Sequence, residues 1–121
     1  MRRVLIVMHR EDCLGYAIQK ALEREYEVSA ANDADVAADM LKLRPDALLV
    51  DLFLPGVDGL TFLKQNREAL PPTIVALTVY FDDDILNILA ELGVGRVIMK
   101  PCTVAEVMKK LRESLNSLPY A

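Results

Sequence analysis

The segment from Ala47 to Gly59, ALLVDLFLPGVDG, decides how this chain is read. Its apolar run stops abruptly at an acid, Asp51, and the chain then turns through Pro55-Gly56 and Asp58-Gly59. A short run rich in Leu and Val and closed by turn residues predicts a strand buried on both faces, as in a parallel sheet. Asp51 is thereby delivered to the carboxyl end of a central strand, where open α/β sheets place their binding and chemical groups. On this segment alone, a turn or a local backbone hydrogen bond accounts for Asp51 equally well.

The flanking sequence repeats the pattern. Upstream, Val4 to Val7 reads as a buried strand running into Met8, His9 and Arg10, and Asp12 is placed to cap a helix with Leu14, Ala17, Ile18, Ala21 and Leu22 along one stripe. Tyr26 to Ala31 is a second short strand. Asn32 or Asp33 then caps a helix expected to turn Val36, Met40 and Leu43 inward and to end at Pro45. Downstream, Asp58 caps a short helix with Leu60, Phe62 and Leu63, which stops before Pro71-Pro72. TIVALT, Thr73 to Thr78, is the fourth strand. The helix after it starts with Asp82 to Asp84, buries Ile85, Ile88, Leu89 and Leu92, and ends at Gly93. Gly95 to Met99 is a fifth strand ending at Lys100-Pro101. The last helix opens on the capping box Thr103-Val104-Ala105-Glu106, buries Val104, Val107, Met108, Leu111 and Leu115, and gives way at 117–121 to a frayed tail or the start of a linker.

Strands alternating with helices predict an α/β, three-layer doubly wound sandwich: a parallel five-stranded sheet with right-handed crossovers and helices on both faces. For a chain of 121 residues the smaller, flavodoxin-like strand order 2-1-3-4-5 is favoured, as a single domain over 1–116. A dinucleotide site would require G-x-G-x-x-G after the first strand, and VMHREDCLG has no such glycines; there is no P-loop. The formal charge of −4 gives no electrostatic reason to expect binding to nucleic acid or anionic lipid. No stretch approaches the roughly 20 apolar residues of a membrane span. The apolar run after Met1-Arg2-Arg3 is too short for a signal peptide, and two cysteines, Cys13 and Cys102, suit a reducing cytoplasm. Both lie on the rim of the strand ends, too far apart across the sheet for a disulfide.

In the 2-1-3-4-5 order the strand ends at Met8/His9, Asp51, Thr78 and Lys100 open on one rim, so an acid, a hydroxyl and an ammonium group are expected to converge there. At these residues the chain resembles the receiver domain of bacterial two-component response regulators, the CheY-like family. VDLFLPGVDG matches around the phosphorylated aspartate (Asp51), ALTVY around the hydroxyl residue (Thr78) and VIMKP around the lysine (Lys100) that precedes a proline, Pro101, across a bond expected to be cis.

The resemblance implies a phosphorylation switch. Asp51 would take a phosphoryl group from a histidine kinase, a phosphotransfer protein or a small phosphodonor. Lys100 and Mg²⁺ would neutralise its oxygens, and Thr78 would bond to it and relay the change to a protein-docking or homodimer face on the fourth helix, fifth strand and fifth helix. In the family, two adjacent acids after the first strand hold the Mg²⁺. Here Met8 and His9 stand in their place, leaving Asp51 and the backbone carbonyl near Phe53 as expected ligands, with Glu11 and Asp12 the acids placed to reach back. The family's switch aromatic is replaced by Val97, with Tyr80 and Phe81 nearby. Without the acid pair, Lys100 is expected to pair with Asp51. Three functions follow: a phosphoaccepting signalling domain that is not an enzyme, an atypical receiver acting as a constitutive protein-interaction module, and, from another class, a small flavodoxin-like enzyme or flavin carrier.

Overall fold

A computed structural model describes residues 1–9, 13–53 and 58–116. Its strands are β1 (Arg3–Val7), β2 (Glu27–Ala31), β3 (Ala47–Asp51), β4 (Thr73–Thr78) and β5 (Arg96–Met99). Its helices are α1 (Cys13–Leu22), α2 (Ala34–Leu41), α3 (Gly59–Gln65), α4 (Asp83–Glu91) and α5 (Val104–Asn116). All neighbouring strands pair parallel, in the order β2-β1-β3-β4-β5.

Residues alternate between the two faces of the sheet, as the period of a strand requires. Leu5, Val7, Leu48, Val50, Ile74 and Ala76 face one helical layer and meet Ala37 and Leu41 of α2, Phe62 and Leu63 of α3 and Leu89 of α4. Val4, Ile6, Leu49, Val75, Leu77 and Ile98 face the other and meet Ile18 and Leu22 of α1 and Val107 and Leu111 of α5. Carboxylates start three helices: Asp33, Asp58 and Asp82 each accept a hydrogen bond from the backbone N–H three residues on, at 2.9, 2.7 and 2.8 Å. Thr103 Oγ1 does the same for the Glu106 N–H at 3.1 Å. Gly93, after α4, has φ +89, the left-handed conformation that glycine adopts without penalty.

One helix face differs from its expectation. Val36 and Leu43 are 42% and 60% exposed, and the inner face of α2 is made instead by Ala37 and Leu41, with Ala34, Ala38 and Met40 half-buried. The helix also stops at Leu41, so Leu43 lies beyond its last turn, and the chain reverses through Arg44 at φ 55 before reaching Pro45. The Asp12 cap, the Pro55-Gly56 turn and the tail 117–121 lie outside the described residues.

Candidate functional site

Strand register fixes the site. Asp51 is level with Leu77 and Leu77 with Ile98, so Asp51 and, two residues beyond Ile98, Lys100 project from the same face of the sheet. The Lys100 ammonium closes an ion pair on Asp51 Oδ2, and the Phe53 N–H donates to Asp51 Oδ1 at 2.8 Å. Both carboxylate oxygens are therefore engaged, in a side chain only 2% exposed. A buried carboxylate needs such a counter-ion, because its charge in a low-dielectric interior is otherwise strongly disfavoured. Backbone hydrogen bonds hold the pair in place: the Lys100 N–H donates to Thr78 O at 2.7 Å and the Leu52 N–H to Leu77 O at 2.9 Å. The Lys100–Pro101 peptide is cis.

Gly59 completes the support. Its N–H donates to Leu52 O at 2.9 Å, and a Cβ there would sit 2.6 Å from Asp51 O and from Leu52 Cα. The start of α3 is thus pressed onto the end of β3, and only glycine permits so close an approach.

Thr78 is on the same rim but one residue out of phase. It is level with Met99 and follows Ala76 on the α2–α4 face. Its hydroxyl, 1% exposed, donates to Tyr80 O at 2.7 Å and accepts from the Tyr80 N–H at 3.2 Å, so it is spent within its own loop. The rim outside it is apolar and exposed: Phe53, Val79, Tyr80 and Met99 are all about half uncovered. Tyr80 turns its hydroxyl toward Asp82 Oδ2 at 3.4 Å. Val97 is half-buried against the α2–α4 core.

Met8 lies where the resemblance places the first metal-binding acid. Val7 is level with Val50, so Met8 is level with Asp51 and on the same face. Its side chain is 4% exposed and belongs to the core that includes Ile6, Ile18 and Met108. A divalent magnesium ion requires several hard oxygen ligands. The described residues offer Asp51, already paired with Lys100, beside a packed thioether, and no group of three or more His, Cys, Asp or Glu among them is placed to hold a metal. These residues do not fit Mg²⁺. His9 is exposed; Glu11 and Asp12 lie outside the described residues. Neither Cys13, which is exposed, nor Cys102, which is half-buried, is in a disulfide.

The family model for the response regulator receiver domain matches residues 4–112. The chain belongs to the response regulator receiver family. Solved receivers share its fold. A receiver domain protein from Methanospirillum hungatei is 24% identical with TM-score 0.84, covering 96% of this chain and 94% of that one. The receiver domain of a putative LuxO repressor from Vibrio parahaemolyticus is 21% identical with TM-score 0.81, covering 95% and 91%. The chemotaxis protein CheY4 of Vibrio cholerae is 23% identical with TM-score 0.80, covering 94% and 98%. The chain is therefore a two-component signalling domain. No helix among its described residues is long and apolar enough to cross a membrane.

Proposed function

We propose that this receiver works in the cytoplasm as a standing protein-interaction module, with the Asp51–Lys100 ion pair holding its pocket in one state. The observation that carries this is Met8, packed into the core level with Asp51, where a metal-dependent pocket needs a carboxylate. Lys100 then neutralises Asp51 permanently, and the partner-facing surface of α4, β5 and α5 is presented without a phosphorylation cycle. The exposed Tyr80 and Met99 border that surface and supply apolar contact area to a protein partner or a second copy.

The test is incubation with acetyl phosphate and Mg²⁺, followed by intact-mass measurement and a partner-binding assay. Unmodified mass, with partner binding retained in Asp51→Ala, is the expected result.

A second function is favoured by the shared rim of Asp51, Thr78 and Lys100: phosphoryl acceptance from a histidine kinase or phosphotransfer protein. An Asp51 oxygen would attack phosphorus as the phosphorus–nitrogen bond of the donor breaks. The departing imidazole would take up a proton, and Lys100 would stay beside the transferred oxygens. One added phosphoryl group on the wild-type chain, absent from Asp51→Asn, would establish this function in place of the first.

A further inference from the structure

At the pole opposite Asp51, the connections α2–β3 and α3–β4 enclose a groove of about 560 Å³. Its floor is aliphatic, lined by Leu41, Pro45, Leu70, Pro71 and Pro72; Leu41, Pro45 and Pro71 are buried, so the open apolar surface belongs to the half-buried Leu70 and the exposed Pro72. Its rim is basic: Lys42 and Arg44 stand on one wall, and Glu68 is the acid on the other. Glu68 and Ala69 also border a second depression, which adds Lys64 and Arg67 to the same surface. Among the described residues Arg44, Lys64 and Arg67 make no ion pair, and Lys42 reaches only the exposed Asp39 at 3.3 Å. On a chain of net charge −4 this is a local reversal of sign.

Arg44 has φ 55 and donates its N–H to Leu41 O at 3.0 Å, closing the reversal after α2 in the conformation that favours glycine. The loop carrying Arg44 is fixed: Arg3 donates from its backbone N–H to Asp46 Oδ2 at 2.7 Å and from its guanidinium to Leu43 O at 3.1 Å.

We infer that this groove docks an acidic, aliphatic-bearing polypeptide segment of a partner protein. Its leucine-like side chains would lie on the proline-rich floor, and its carboxylates would meet Arg44, Lys42 and Arg67. The volume falls in the range of roughly 300–1,000 Å³ typical of ligand sites, and the match of charges selects acidic over basic partners. The surface is remote from Asp51, so it stands or falls separately from the pocket.

The probe is a short fluorescein-labelled peptide repeating Glu-Leu-Leu-Asp, titrated with the full chain and read by anisotropy, beside a charge-reversed peptide repeating Lys-Leu-Leu-Arg. Saturable binding of the acidic peptide alone is expected, weakening as salt is raised. Arg44→Glu should weaken it about tenfold, and Arg44→Gly about threefold while raising the melting temperature, because glycine relieves the backbone as it removes the charge. The melting temperature of Arg44→Gly, measured alongside, shows that the fold is kept, so that a loss of binding is not a folding artefact. Equal binding of both peptides, no binding, or unchanged affinity in Arg44→Gly would overturn the proposal. So would a dimer of the chain that dissociates in Arg44→Glu, which would make the occupant a second copy.

Discussion

A Cβ added to Gly15 would lie 3.3 Å from Met8 Cβ and 3.4 Å from Met8 Sδ. The two residues are fitted to each other. A glycine in the first turns of α1 makes room for a thioether at the end of β1. Truncating Met8 to Ala should cost about 2–3 kcal/mol in urea unfolding, the usual price of an emptied core site. Adding Gly15→Ala to that variant should recover up to about 1 kcal/mol, since helix propensity is gained and only the Cβ at position 8, 3.3 Å away, is left to shift. In the wild type the same Gly15→Ala should gain less, because Met8 must give way. Equal effects in both backgrounds would show that the two residues do not interact.

Gly59 tests the support of Asp51. Because a Cβ would sit 2.6 Å from backbone atoms on both Asp51 and Leu52, Gly59→Ala cannot be absorbed by a rotamer change. A loss of about 2–3 kcal/mol is expected by denaturant unfolding, together with a displaced Phe53 amide resonance, since that N–H reports on Asp51 Oδ1. A variant of unchanged stability would mean that α3 is not pressed onto β3.

Gly93 and Gly95 separate backbone strain from space. Neither has an atom within 4 Å of an added Cβ, but only Gly93 has a left-handed φ. Gly93→Ala should therefore cost about 1 kcal/mol and Gly95→Ala much less, measured side by side by thermal unfolding.

Glu25 and Arg112 tie the end of α1 to α5, with Arg112 Nε 2.9 Å from Glu25 Oε1. The hydrogen bond from Arg112 holds the Glu25 carboxyl below its ordinary value of 4.5, against a smaller opposing effect of burial. A group whose folded-state pKa is depressed contributes stability above its unfolded pKa and loses it as pH falls through the folded value. Stability measured from pH 6 downward should thus begin to fall near 4.5, and Glu25→Gln should flatten that limb. Tyr26 behaves oppositely. Burial raises its pKa from 10.0, so its contribution is complete below that value and is lost as pH rises beyond it; Tyr26→Phe should flatten the alkaline limb. An unchanged acid limb in Glu25→Gln would place the acid sensitivity elsewhere.

Much of this architecture was legible in the residues themselves, for physical reasons that differ by element. The central strands β3 and β4 carry unbroken apolar runs that stop at a polar residue, so ALLVD and TIVALT could be read with their last residues in place. Capping carboxylates marked the starts of α2, α3 and α4 because the first-turn N–H groups require acceptors. The inner face of α2 departs from the expected Val36, Met40 and Leu43 because the helix ends at Leu41 and turns Ala37 and Leu41 to the sheet, with Met40 half-buried beside them. Chain order showed that Asp51, Thr78 and Lys100 would share a rim. It could not show that Thr78 is a residue out of phase with the pair, because phase depends on strand register, and register appears only when the strands are side by side. Met8 was visible as a missing acid. Its burial against Gly15 was not, since that contact joins the end of a strand to the helix that follows it in the chain.

The central claim is that the Asp51 pocket is held by Lys100 and sealed by Met8, without a divalent ion. The most direct measurement is a Mg²⁺ titration into ¹⁵N-labelled protein, following the amide resonances of Phe53 and Lys100, with the double variant Met8→Asp, His9→Asp alongside and its folding checked by circular dichroism. Both resonances should stay in place in the wild-type chain at millimolar Mg²⁺ and shift saturably once the acids are restored. A saturable shift of the Phe53 amide in the wild-type chain would contradict the account.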